Sequence, residues 1–195
     1  SQQEIRTIAS LAGRYGATLL VDELYSRQVF DGRTYTHLCA QPEAPENLIT
    51  IIGPSKTESE SGFRLGVAFG SPAILKRMEK LQAIVCLRAA GYCQSLFSLW
   101  FHEPEGWMAE RIRQHQAIRD DLMALLTKHP GVSARRTEGG SYMFVSLPEL
   151  DIPLDAFITL ARTGAGVTVT PGTEFGPAFT HHFRINFSQD PVKAH

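Results

Sequence analysis

In Leu48-Ile49-Thr50-Ile51-Ile52-Gly53-Pro54-Ser55-Lys56 an unbroken run of apolar and β-branched residues stops at Gly-Pro, and a Ser-Lys pair follows at once. The run is too short for a helix and has no polar face, as expected of a strand covered on both sides in a parallel sheet. Working outward, Ala17 to Val21 is a second such run, ending at Asp22, and Leu65 to Phe69 is a third, ending at Gly70-Ser71-Pro72. Upstream, Ile5, Ile8, Ala9, Leu11 and Ala12 recur at helical spacing until Gly13 and Gly16 interrupt them, which predicts a helix ending near Tyr15. Helix, strand, connection, strand, strand and helix make part of an α/β layer. In open parallel sheets ligands lie beyond the carboxyl ends of the strands, where Asp22 and Lys56 both fall.

From Pro72 the texture changes. Ile74, Met78 and Leu81 mark a helix, and a second helical pattern runs from Glu103 to Lys128 before Pro130-Gly131 breaks it. A strand pair is expected around Val132 to Arg136 and Ser141 to Leu147, then a helix from Pro153 to Arg162, then strands near Val167 to Thr170 and Phe183 to Phe187. This alternation predicts a smaller α+β domain. The reading is therefore two domains, 1–88 as part of a larger, mainly parallel sheet domain and 89–195 as the smaller one.

Composition narrows the function. With 195 residues, 43% of them hydrophobic, the chain can bury a core. Nineteen basic residues stand against twenty acidic ones, for a net charge of −1, so the field that gathers nucleic acid or anionic lipid is lacking. No apolar stretch approaches the roughly 20 residues that cross a bilayer. Cys39, Cys86 and Cys93 have neither Cys-x-x-Cys nor zinc-ligand spacing and read as reduced, packed thiols of a cytoplasmic protein, with no metal site. Ser1-Gln2-Gln3-Glu4 has capping-box form, so the first residue reads as a helix cap at which a longer protein has been cut.

Three constellations carry chemistry. Asp22-Glu23-Leu24-Tyr25 puts a carboxylate at a strand end, where burial requires a cation or donor to face it. Taken alone, Asp22 also reads as a turn residue. Ser55-Lys56 is followed by Arg64, eight residues beyond the lysine; either this is a solvated loop, or Lys56 is a nucleophilic amine whose pKa burial and a neighbouring cation depress. Pro171-Gly172-Thr173-Glu174-Phe175-Gly176 precedes Phe183-Arg184-Ile185-Asn186, where a guanidinium in an apolar strand needs an anion, either a substrate's or that of a buried salt bridge.

Together, and with Gly139-Gly140-Ser141-Tyr142-Met143-Phe144, these segments resemble the C-terminal half of class I/II aminotransferases, pyridoxal-5′-phosphate (PLP) enzymes of fold type I. The resemblance implies that Lys56 forms the Schiff base with PLP and later moves the substrate's proton. It implies that Asp22 pairs with the pyridine nitrogen, that Tyr25 donates to the ring's phenolic oxygen, and that Arg64 with Ser55 holds the phosphate. Arg184 would bind the substrate α-carboxylate, and amino acid and 2-oxo acid would exchange an amino group in a homodimer.

The chain departs from the family pattern at Glu60, commonly apolar, at Phe63, commonly Trp or Tyr, and at Gly53, often Ser or Thr. The family's Asn-Pro-x-x-Pro-Thr-Gly segment, the ring-stacking aromatic and the glycine-rich phosphate turn would fall before Ser1, so 195 residues alone are expected to be inactive or poorly folded. Two alternatives stay open. One is another PLP reaction on the same fold, such as C–S lysis or decarboxylation; the other is a non-catalytic aminotransferase-like domain of a regulator. His181 and His182 read as surface residues of a loop.

Overall fold

A computed structural model describes residues 1–189. The chain folds as two compact units, residues 1–105 and 106–195. Segment 89–105, which the change of texture attached to the second domain, packs within the first unit: Arg27 grips Glu103 and lies over the ring of Phe101.

The first unit opens with α1 (Gln2–Tyr15), whose capping box is complete: Ser1 accepts from the Glu4 amide and Glu4 reaches back to Ser1. Gly16 ends it in the left-handed conformation, φ 62°. The buried α1 residue Ala9 meets Leu38 and Leu48, with Ile5, Leu19 and Val21 packed around them, so the helix covers one face of the strands that follow. Those strands are β1 (Leu19–Asp22), β2 (Leu48–Ile52) and β3 (Val67–Gly70), in spatial order β1-β2-β3. β1 and β2 are parallel, with Asp22 opposite Ile51. β2 and β3 are antiparallel, with Ile52 opposite Val67.

The third run is thus a strand, but not a parallel one, and the described sheet is mixed rather than mainly parallel. The physical reason is the connection. Residues 23–47 carry the chain back for a parallel β2, whereas residues 53–66 fold into successive turns, at 54–57 and at Ser61–Phe63, with no crossover helix, and return it reversed. β1 also departs from the reading as a strand covered on both faces: its burial alternates, and Leu20 is 66% exposed. After β3 come α2 (Pro72–Val85), with proline at its first turn, and the short α3 (Gly91–Gln94), which the sequence reading did not include. Cys39 and Cys86 are exposed and Cys93 alone is buried, so the expectation of three packed thiols fails at two positions.

The second unit holds α4 (Trp107–Leu126), β4 (Ser133–Ala134), β5 (Tyr142–Ser146), α5 (Leu154–Gly164), β6 (Thr170–Pro171) and β7 (His182–Asn186). Its sheet has the order β4-β5-β7-β6, all antiparallel. Met143 and Val145, two apart on β5, turn to the interior with Phe183 and Phe187. α4 buries His115, Ile118 and Arg119, one helical stripe. Arg119 is fully buried and is satisfied by the Thr137 carbonyl at 2.8 Å and the Asp120 carboxylate, while His115 bonds the Ser188 hydroxyl at 2.7 Å. Burial holds the His115 pKa below its ordinary value. No helix among the described residues is long and apolar enough to cross a membrane.

Candidate active site

At the carboxyl end of β1, Asp22 is exposed rather than desolvated, and its Oδ1 accepts from the Leu24 amide at 3.1 Å. It forms no ion pair among the described residues, and of the cation or donor expected to face it the Leu24 amide is the one found. Its neighbour Glu23 is the buried carboxylate, 2% exposed and bonded by His37 Nδ1 at 2.6 Å. Tyr35 lies beside them, its ring 4.9 Å from that of His37. Burial, with the charges of Glu23 and Asp22 adding, pushes the Tyr35 pKa up to about 12. The sequence reading singled out neither Tyr35 nor His37; a histidine and a tyrosine in a loop after a strand give no periodic signal.

The loop after β2 runs beside the loop after β1. Glu23 donates its amide to the Ile51 carbonyl at 2.8 Å, which extends the parallel ladder. A Cβ added at Gly53 would stand 3.0 Å from Leu24 Cδ2, 3.0 Å from the Leu65 carbonyl oxygen and 3.3 Å from Gly66 Cα. Glycine at this position is therefore what lets the Asp22–Tyr25 turn and the Ser55–Lys56 turn approach, and the departure from Ser or Thr has a steric cause. Tyr25, Ser55 and Lys56 are all half-buried. The Lys56 amine forms no ion pair among the described residues, while its carbonyl accepts from the Ser59 amide at 3.3 Å.

Beyond Lys56 lies an ionic network that the sequence did not reveal. Arg27 pairs with Glu58 and with both oxygens of Glu103, at 2.6 and 3.1 Å. Thr57 donates to the other oxygen of Glu58. The Arg27 hydrogen bonds hold the Glu103 carboxyl down at about 2. Glu60, the residue found where the family is commonly apolar, has a pKa raised by its burial and then by the charges of Glu58 and Glu103. Arg64 adopts the left-handed conformation at φ 52°, donates to the Ser61 carbonyl at 2.8 Å and is exposed. It lines an open groove of about 750 Å³ with Arg88 and Tyr92.

In the second unit Arg184 sits in β7 opposite Phe144 and Thr170. Its guanidinium lies 4.2 Å from the ring centre of Tyr142 and 4.8 Å from that of Phe175. It forms no ion pair among the described residues, so the buried salt bridge is not what holds it. Two aromatic faces stabilise the cation and leave its N–H groups for an anion. Phe175 is edge-on to Phe144, on which His182 stacks, so this histidine is part of an aromatic cluster rather than a free surface group.

The donor set fits PLP chemically: a carboxylate without an ion pair among the described residues for a pyridinium, an amine likewise without one for an aldehyde, a hydroxyl and an exposed guanidinium for a phosphate.

Comparison with known proteins follows the same line. An aspartate aminotransferase of Pyrococcus horikoshii is 28% identical over 191 residues, which are 96% of this chain and 48% of that protein. The crystal structure of an aspartate aminotransferase from Rhodobacter sphaeroides 2.4.1 matches with a TM-score of 0.96 and 56% identity, over 100% of this chain and 49% of that one. Cystalysin from Treponema denticola, whose structure contains a PLP cofactor, shares the fold at a TM-score of 0.90 and 18% identity, covering 100% of this chain and 50% of its own. The chain spans about half the length of the curated relatives it matches. The family model for aminotransferase class I and II matches residues 1–193, and the chain belongs to that family.

Proposed function

We propose that the chain carries the Schiff-base half of a PLP-dependent aminotransferase that moves an amino group between an amino acid and a 2-oxo acid. The observation that carries this reading is the pair of adjacent turns beyond β1 and β2, one bearing the carboxylate of Asp22 and the other the amine of Lys56, neither in an ion pair among the described residues. Lys56 would hold the cofactor through its amine and would be the base that takes the proton from the substrate Cα. When bound, the ring supplies an electron sink for the carbanion. Asp22 would keep the pyridine nitrogen protonated, Tyr25 would donate to the phenolic oxygen, and Arg64 with Ser55 would bind the phosphate. Arg184 takes the substrate α-carboxylate as a fork and so orients the Cα–H bond.

The 56% identity to an aspartate aminotransferase supports aspartate as the first amino donor to test. Exposure of Ile84, Val85, Leu87 and Tyr92 supports a homodimer. The test is borohydride reduction of the full-length protein with PLP, followed by mass mapping: the pyridoxyl group is expected on Lys56 and lost in Lys56→Ala. Attachment at another lysine would overturn the assignment.

A further inference from the structure

Arg27 lies two residues beyond Tyr25, and Glu58 two residues beyond Lys56. The segment around Arg27 is fixed by its own turns, in which Ser26 donates to the Glu23 carbonyl and Gln28 to the Tyr25 carbonyl, both at 2.9 Å. The segment around Glu58 is likewise folded onto itself: Ser59 donates to the Lys56 carbonyl at 3.3 Å and Glu60 to the Pro54 carbonyl at 3.2 Å. Arg27 joins these two small frames through Glu58. The pair is enclosed, with the Glu58 side chain 6% exposed and that of Arg27 23% exposed, so solvent screens it little. Glu103 takes the remaining face of the guanidinium in a two-point contact, and Phe101 lies 4.5 Å from it. A fork held by two carboxylates and a ring has few alternative positions.

We propose that Arg27 is a positioning residue that sets the reach of Lys56, acting through Glu58. Resting on the Lys56 reading above, the inference is that one guanidinium fixes the spacing between the loop bearing Asp22 and Tyr25 and the loop bearing Ser55 and Lys56. A cofactor ring held at both ends needs that spacing constant, because misplacement by about 1 Å costs on the order of a hundredfold in rate. Glu103 anchors Arg27 from outside the two loops and, among the described residues, bonds Arg27 and the Phe101 amide but not the loop of Lys56. The two carboxylates therefore differ in consequence although they share a partner.

That difference gives the test. In the full-length protein, Arg27→Met, Glu58→Met and Glu103→Met are compared for the rate at which PLP is captured on Lys56 by borohydride and for unfolding midpoint. The matched glutamate variants each leave Arg27 with one carboxylate. Arg27→Met and Glu58→Met are expected to slow capture at Lys56 by about tenfold to a hundredfold. Glu103→Met is expected to stay within about threefold of wild type while losing at least as much stability as Glu58→Met. Should Arg27→Met fail to fold, the two glutamate variants decide. Capture that falls equally in both, in step with the unfolding midpoints, would show a merely structural ion pair and overturn the inference; so would wild-type capture in Glu58→Met. Wild-type PLP attached to a different lysine overturns instead the functional reading itself.

Discussion

Replacing Gly53 by alanine adds one methyl group at the point where the loops bearing Asp22 and Lys56 meet, and the structure says what it would strike. At 3.0 Å from Leu24 Cδ2, 3.0 Å from the Leu65 carbonyl oxygen and 3.3 Å from Gly66 Cα, the new Cβ is closer than ordinary van der Waals contact to three groups on two different segments. Leu24 can rotate away; the backbone of 65 and 66 cannot, because Leu65 is buried and Val67 is already paired with Ile52. Overpacking of this kind costs about 1–3 kcal/mol, and the rigid backbone places Gly53→Ala in the upper half of that range. Leu24→Ala, which trims a half-buried side chain, should cost roughly 1–3 kcal/mol by itself. The double variant should be less destabilised than the sum by about 0.5–1 kcal/mol, since one of the three collisions has been removed. Urea unfolding of the full-length protein and its variants, with the slope monitored for each, measures all four corners of the cycle. A Gly53→Ala variant as stable as wild type, or strict additivity with Leu24→Ala, would refute the claim that glycine is required here by close approach.

Arg184→Met is expected to lower kcat/KM for the amino acid by roughly 10–100-fold, the loss of a charge-assisted contact to a carboxylate, with far-ultraviolet circular dichroism unchanged. Acid should weaken the first unit through Glu103: its folded pKa is depressed, so the stability it gives is present above about 4.5 and is lost as pH falls toward about 2. After allowance for solvent screening this is on the order of 2 kcal/mol, and Glu103→Gln should remove it from a stability-versus-pH curve. Glu60 works in the opposite sense, its raised pKa making the ionised form unfavourable, so Glu60→Gln should raise the neutral-pH unfolding midpoint while leaving the acid limb in place. Phenolate absorbance should show Tyr35 ionising at about 12, and Tyr35→Phe should remove that contribution; a titration unchanged by the substitution would contradict the burial of Tyr35 beside Glu23 and Asp22.

What could be read from the sequence was whatever depends on neighbours in the chain. The run Leu48–Ile52 is a strand with those same ends, and the capping box at Ser1 and the proline at Pro72 both mark helix starts. Strand direction was not legible: the residues of β3 suit either orientation, and the 53–66 connection, which folds into turns with no crossover helix, brings the chain back antiparallel. Exposure of Asp22 and Leu20 was not legible either, because an apolar run states what a strand can bury and not which faces are covered. The segments bearing Asp22, Lys56 and Arg184 stood out through residue types at fixed spacing. Arg27, Glu58 and Glu103 did not, since they lie 31 and 76 residues apart and each looks like an ordinary surface charge until the fold joins them. For Arg184 the segment alone left a substrate's anion and a buried salt bridge both open, and its stacking on Tyr142 and Phe175 was not legible although both lay in motifs already noted; facing rings across strands are a matter of register.

The most direct measurement is the nitrogen-15 resonance of ring-labelled PLP bound to the full-length protein, in wild type and in Asp22→Asn, with borohydride mapping on the same samples. The account expects a protonated pyridine nitrogen in wild type and a deprotonated one in Asp22→Asn, with Lys56 the modified residue in both. A nitrogen whose protonation ignores the substitution at residue 22, while Lys56 carries the cofactor, would show that these two side chains do not serve one ring.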